Sequence, residues 1–170
     1  MSKKINLLET GNMLLAAQKI VLCCHVSPDG DTLGSALGLA RLLEQKGKEV
    51  TVFVDDDINK SLSFIPGVDK VQRPEAGVIV EADLFVVVDA SSFDRVGICN
   101  EVVKAPVLLN IDHHISNTEF ADYLYLDAEA AAAGEIMCDL FEAMGWECDE
   151  AIAVDFYTAI TTDCGSFRYS

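Results

Sequence analysis

The stretch Ile20-Val-Leu-Cys-Cys24, running directly into His25-Val-Ser-Pro-Asp29-Gly-Asp31 and then into a helical repeat, decides how this chain folds. A compact apolar run bounded by turn residues suits a strand buried on both faces. Pro28-Asp29-Gly30 is turn chemistry. From about Thr32 to Lys46 the residues Leu33, Ala36, Leu37, Ala40 and Leu43 recur at helical spacing, and Gly47 stops the repeat. The unit is strand, loop, helix.

The same alternation continues outward from it. Residues 6–17 form an amphipathic pattern of helical period. Val50-Thr-Val-Phe-Val54 reads as a second strand, followed by Asp55-Asp56-Asp57 and a polar connection holding Pro66-Gly67 and Pro74. Leu84-Phe-Val-Val-Val88 is the strongest strand signal, and Val107-Leu-Leu-Asn-Ile111 is another. Residues 128–144 and 150–162 read as two helices on either side of Gly145, the first favoured by the alanine run 130–133. This order predicts an α/β fold, a parallel β-sheet with helices on both faces in three layers, built as one domain over residues 1–170. Sheets of this kind collect ligands at the carboxyl ends of their strands.

Composition narrows the function. Twelve Lys and Arg stand against 28 Asp and Glu, a net charge of −16, which repels a polyanion at long range and excludes a basic surface for extended duplex nucleic acid. Glu142, Glu147, Asp149 and Glu150 read as solvated surface acids. No apolar stretch reaches membrane-spanning length and no export signal is visible, so a cytoplasmic protein without membrane contact is expected. The six cysteines contain no CxxC and are expected to be reduced. Cys23, Cys24 and Cys138 are assigned to packing.

Four clusters stand apart from this background, each where an apolar run ends: His25 with Asp29 and Asp31, Asp89, Asp112-His113-His114, and Thr162-Asp163. The three histidines of the chain all fall in them. Asp29 and Asp31 share one tight loop, and two carboxylates that close repel unless a cation lies between them. Asp31 also stands where a helix N-cap is expected, which is its simpler reading. Asp89 ends a buried strand, where an unpartnered carboxylate is costly; its simpler reading is a cap on the Ser91-Ser92 turn. Of the adjacent histidines, one can bind a metal while the other faces a substrate, with Asp112 orienting an imidazole from behind. Asp163 closes a helix, where its charge opposes the macrodipole unless a cation compensates. Carboxylate oxygen and imidazole nitrogen suit Mn²⁺, Mg²⁺, Fe²⁺ or Zn²⁺. A dispersed metal site working on phosphate is the expectation.

In this order, His25-x-x-Pro28-Asp29-Gly30-Asp31-x-x-Gly34-Ser35, Asp89, Asp112-His113-His114 and Thr162-Asp163-x-Gly165-x-Phe167 resemble the motifs of the DHH phosphoesterase superfamily over residues 21–170. Residues 110–117 and 162–170 most resemble the oligoribonucleases that also remove phosphate from 3′-phosphoadenosine 5′-phosphate. The resemblance implies two manganese ions per chain, with Mg²⁺ or another divalent ion as a substitute. It implies one ion held by His25, Asp29 and Asp89, and a second by Asp31, Asp89, His113 and Asp163, with Asp89 bridging. His114 would then contact the phosphate. Arg95 and Arg168 are candidates for further phosphate contacts. Members of the family carry a smaller second domain whose glycine-rich segment grips substrate, so this chain is expected to be the N-terminal catalytic domain of a longer protein.

The expected partners are short RNA oligonucleotides or small nucleotides, and homodimerisation is left open. Rival readings are a cyclic-dinucleotide phosphodiesterase, an inorganic pyrophosphatase or polyphosphatase, and a metal- or nucleotide-binding module without catalysis. Pyrophosphatases of the superfamily tend to have threonine where this chain has Gly30, which favours the oligoribonuclease reading.

Overall fold

The computed structural model describes residues 2–166. Its centre is a six-stranded sheet in which every neighbouring pair is parallel. In chain order the elements are β1 (Lys3–Lys4), α1 (Leu7–Ala16), β2 (Lys19–Cys23), α2 (Gly30–Gln45), β3 (Glu49–Phe53), β4 (Val80–Glu81), β5 (Leu84–Val88), α3 (Cys99–Val102), β6 (Val103–Lys104), β7 (Leu108–Asp112), β8 (Tyr123–Leu126), α4 (Ala133–Met144) and α5 (Glu150–Asp163). The sheet order is β1-β8-β7-β5-β2-β3, and β4 pairs β6 in a small separate sheet. The chain therefore leaves β2 toward β3 on one side and returns to β5 on the other. That reversal between β2 and β5 opens a crevice at their carboxyl ends.

Successive strand residues point to opposite faces, and both faces are buried. Ile20, Leu22, Leu84, Val86, Val88, Leu109 and Ile111 face one way and pack under α1, α2, α4 and α5. Val21, Cys23, Phe53, Phe85 and Val87 face the other way, against Val96, Cys99, Val102 and Val103. The α/β parallel architecture is as the sequence implies. Its two covers are unequal: four longer helices on one face, and on the other the single turn of α3, a 3₁₀ turn at Phe93–Val96 and the β4–β6 pair.

Three expectations are corrected. The helix expected from residue 128 begins at Ala133, because Ala132 is extended and residues 128–132 form turns. Strands β1 and β8 were not anticipated. Cys138 lies on α4 as expected but is exposed, whereas Cys23, Cys24 and Cys99 are buried free thiols. The acids at Glu142, Glu147, Asp149 and Glu150 are exposed, and Asp149 also caps α5 by accepting from the Ile152 amide. Among the described residues no helix is long and apolar enough to cross a membrane.

The contact between α2 and α5 fixes the far side of the crevice. Gly30, Gly34 and Gly38 recur every four residues and so line one face of α2. A Cβ at Gly30 would strike the Thr162 side chain, one at Gly34 the Asp155 carbonyl, and one at Gly38 the Phe156 ring. The stripe lets α5 settle close enough to bring its last residue, Asp163, to the strand ends. Gly34→Ala should cost about 1–3 kcal/mol through overpacking against backbone, read as a lowered urea midpoint with unchanged m. A midpoint equal to that of wild type would show that the helices are not held in this close contact.

Deeper along the same interface Asp155, fully buried, lies 3.7 Å from Arg41 Nε, and neither carboxylate oxygen has a hydrogen-bond partner. Burial pushes its carboxyl up to about 7, against the pull of the guanidinium. An unfolded Asp titrates near ~3.9, so the folded chain holds the extra proton between that value and about 7. Stability from this group therefore falls as pH rises through that window. Asp155→Asn removes the titration. Its stability relative to wild type should rise between pH 5 and pH 8, measured by chemical denaturation at both; a pH-independent difference would contradict the assignment.

Candidate metal centre

Every cluster singled out in the sequence, apart from the two arginines, meets at the carboxyl end of the sheet. His25 stands two residues beyond β2, Asp89 directly beyond β5, and Asp112 ends β7 with both histidines after it. Asp29 and Asp31 open α2, and Asp163 closes α5. Asp163 thus arrives from across the crevice.

Asp29, not Asp31, is the N-cap of α2. Its Oδ1 accepts from the Asp31 and Thr32 amides at 3.0 Å each, and its Oδ2 lies 3.6 Å from His25 Nε2. One oxygen starts the helix and the other faces the crevice. Thr32 ties the loop down, because its hydroxyl donates to the Val88 carbonyl and accepts from the His25 amide.

Asp31 points sideways to α4. It is 1% exposed and accepts from the Ala133 amide at 2.7 Å, the Gly134 amide at 2.9 Å and the Ser35 hydroxyl at 3.2 Å. Helix α4 has no side-chain cap of its own at Ala132. The carboxylate replaces it from another element, and the positive end of α4 in turn favours the negative charge. This tertiary cap is why α4 begins at residue 133.

Asp89 is buried, and its backbone is in the left-handed region at φ 60°, which only function or firm support sustains in a non-glycine residue. Its two oxygens diverge. Oδ2 lies 3.5 Å from His25 Nε2, and Oδ1 lies 3.4 Å from His113 Nε2. His113 Nε2 is also 3.7 Å from Asp31 Oδ2 and 3.8 Å from Asp163 Oδ2.

The Nδ1 atom of each imidazole is held from behind. His25 Nδ1 is 2.7 Å from the Val26 carbonyl, His113 Nδ1 3.2 Å from the Ala130 carbonyl, and His114 Nδ1 2.7 Å from Asp112 Oδ1. With Nδ1 donating, the Nε2 atoms of His25 and His113 are turned on the carboxylates. His114 Nδ1 also lies 3.6 Å from Asp89, but the shorter bond to Asp112 claims it. Among the neighbours the sequence did not single out for this work are Asn110 and Asn117, the Ser35 hydroxyl, the Ala130 carbonyl and the α4 amides. Asn110, Asn117 and Ser35 fall inside the stretches that carry the family resemblance, without a role of their own assigned from the sequence.

The charges are strongly coupled. Burial works against a charged His25 ring, but its contacts with Asp29 and Asp89 outweigh that and raise its pKa to about 10. Asp89 raises His113 to about 9 in spite of burial. Burial, then repulsion from Asp89, pushes Asp31 up to about 8. Burial also raises Asp163. Burial opposes ionisation of Asp29 and Asp112 as well, but histidine contacts, with the Thr32 amide at Asp29 and Asn117 at Asp112, hold both below the usual carboxylate range. The bond to Asp112 raises His114.

Divalent metals fit this donor set. Asp89 Oδ1 is buried without a hydrogen-bond partner. The donor separations of 3.4–3.8 Å are too long for good hydrogen bonds. Atoms each about 2.1 Å from one ion stand roughly 3.0–3.5 Å apart, so a small inward movement would suffice. Three groups of three, His25 with Asp29 and Asp89, Asp31 with His113 and Asp163, and Asp89 with His113 and His114, each hold their donor atoms within 4.8 Å and could take an ion; in the last, the 2.7 Å bond to Asp112 already engages His114 Nδ1. Asp89 reaches toward both His25 and His113. Arg95 is exposed, although its backbone carbonyl accepts from the Val26 amide beside the His25 loop. Arg168 lies outside the described residues.

Comparison with known proteins identifies the family. Residues 19–165 match the DHH family, N-terminal domain. The chain is 35% identical over 154 residues to the bifunctional oligoribonuclease and PAP phosphatase NrnA of Thermus thermophilus, covering 89% of this chain and 45% of that protein. It is 29% identical over 172 residues to the protein of the same name from Mycoplasma pneumoniae, covering 99% and 53%. An exopolyphosphatase-related protein from Bacteroides fragilis superposes with a TM-score of 0.88 at 29% identity, over 96% of this chain and 51% of that one. The chain spans about half the length of the curated relatives it matches. The chain belongs to the DHH family, whose N-terminal domain residues 19–165 match.

Proposed function

We propose that this chain is the catalytic domain of a metal-dependent phosphoesterase that hydrolyses short oligoribonucleotides and 3′-phosphoadenosine 5′-phosphate at a two-manganese centre. The observation that carries it is the divided carboxylate of Asp89, one oxygen toward His25 and the other toward His113. His25, Asp29 and Asp89 would hold one ion, and Asp31, Asp89, His113 and Asp163 the other. Donors that are all oxygen or imidazole nitrogen suit Mn²⁺, with Mg²⁺ a substitute. When bound, the pair would supply an activated water and neutralise charge on the phosphoryl oxygens.

The chain's own groups orient and balance the substrate. His114, 40% exposed, keeps its Nδ1 proton on Asp112 and leaves Nε2 free to donate to a phosphoryl oxygen. The ionised Asp112 carboxylate holds the ring in its charged form to higher pH than an isolated histidine, so it brings positive charge to an anion. A second domain across the crevice would bind the remainder of the substrate, as its relatives' greater length suggests. Such remote binding holds the phosphate in line for attack.

Two measurements test this. Elemental analysis with calorimetry should find about two Mn²⁺ per chain, and Asp89→Ala should reduce occupancy at both positions, since one carboxylate serves both ions. Full two-ion binding by that variant would remove the bridging role. Side-by-side assays of the longer protein with Mn²⁺ on two- to five-residue RNA, 3′-phosphoadenosine 5′-phosphate, cyclic di-AMP and pyrophosphate should show release of mononucleotides from the first and phosphate from the second. Preference for pyrophosphate, or activity on none of the four, would overturn the substrate assignment.

A further inference from the structure

Behind the crevice, two asparagines form a chain of hydrogen bonds from the backbone carbonyls on either side of Asp89 to the Asp112–His114 pair. Asn110, fully buried on β7, donates through Nδ2 to the Val87 carbonyl at 3.1 Å and to the Ala90 carbonyl at 3.3 Å, which bracket the left-handed Asp89. Its Oδ1 accepts from Asn117 Nδ2 at 2.7 Å. Asn117 Nδ2 also donates to Asp112 Oδ2 at 2.6 Å, and Asn117 Oδ1 accepts from the Glu119 amide at 2.7 Å. Asp112 Oδ1 then accepts from His114 Nδ1.

Donor counting fixes every member. A primary amide has two N–H groups, and each asparagine spends both. Flipping the Asn117 amide would set its oxygen against Asp112 Oδ2 and Asn110 Oδ1, and its nitrogen against the Glu119 amide. No alternative orientation satisfies these partners. Asp112, with Oδ2 held by Asn117, has Oδ1 left for His114, which keeps that ring's proton on Nδ1.

We propose that Asn110 and Asn117 are positioning residues that join the Asp89 kink to the Asp112–His114 pair, so that the bridging carboxylate and the phosphate-facing imidazole are set by one buried frame. The Asn117 side chain bonds none of the carboxylates and imidazoles assigned to the metals, and its backbone amide donates to the His114 carbonyl. The side chain acts through Asp112. Only the kinetic consequence rests on the phosphoesterase reading above; the orientation of His114 does not.

The test separates the two. With three histidines in the chain, selective ¹⁵N-histidine labelling gives an assignable spectrum. In wild type, the His114 Nδ1–H bonded to Asp112 should appear as a downfield proton in slow exchange with water, and the His25 Nδ1–H, bonded to the Val26 carbonyl, provides an internal reference. With spectra recorded on metal-free or Mg²⁺-loaded protein, Asn117→Ala should abolish or shift the His114 signal and leave that of His25 in place, and manganese stoichiometry, measured separately, should equal that of wild type. Asn117 is half-buried on a loop, so the variant should fold; if it does not, Asn117→Ser takes its place. Asn117→Asp, which sets a second carboxylate against Asp112, should perturb the same signal. In the longer protein kcat should fall about 10–100-fold, the range for a residue orienting a catalytic group from behind, with KM unchanged. An unaltered His114 signal in Asn117→Ala overturns the proposal whatever the kinetics. An altered signal in a protein inactive on all phosphate substrates supports the frame and removes the function proposed for it.

Discussion

Asp31 and Asp89 are both buried at one end of the sheet, and repulsion from Asp89 adds to burial in raising the cost of ionising Asp31. Burying a charge without partners costs several kcal/mol, against a total stability of only about 5–15 kcal/mol for a domain of ordinary size. The surrounding structure answers that cost. Asp31 receives two amides from the start of α4 and the Ser35 hydroxyl. Asp89 receives no such bonds to Oδ1 and faces imidazole nitrogens instead. The difference separates their duties. Asp31 holds two helices together while contributing to the crevice, whereas Asp89 is left dependent on cations, whether protonated histidines or metals.

Several residues serve the fold and the site through different atoms. Asp29 starts α2 with one oxygen and faces His25 with the other. The first turn of α2 then presents Asp31 to α4, and the glycine face of the same helix admits α5 with Asp163 at its end. A displacement of α2 would therefore move three of the four carboxylates at once. Asp89 alone hangs from the sheet, and its left-handed backbone is supported by Asn110 and by its own amide bond to the Ile111 carbonyl. The centre is as rigid as the α2–α5 contact and the β5–β7 pairing allow.

The sequence showed β2, β3, β5 and β7 because each is a short apolar run ended by polar residues, and it showed the site because its carboxylates and imidazoles fall where those runs end. The helix pattern of α2 was equally plain. What stayed hidden was held by tertiary contact. Lys3-Lys4 carries no strand signal and becomes β1 only by pairing with β8. Tyr123-Leu-Tyr-Leu126 lies between Asp122 and Asp127 and is too short to stand out. The start of α4 was misplaced because alanine propensity says where a helix can form, whereas a carboxylate 102 residues away says where this one begins. Asn110 and Asn117 bound the stretch that carries the family resemblance, but their roles depend on partners brought together only by the sheet.

Electrostatics also bears on the size of substrate this centre can serve, given the phosphoesterase role proposed here. A basic groove gains affinity with every added phosphate through counterion release. This chain carries −16 overall, which repels a polyanion at long range. Attraction is confined to the crevice, where divalent ions would offset Asp29, Asp31, Asp89 and Asp163 and His114 adds its own charge. The exposed Ile115 beside it, 90% accessible, offers apolar surface and no charge to a longer strand. On the proposed role, this long-range repulsion favours a short substrate over an extended duplex.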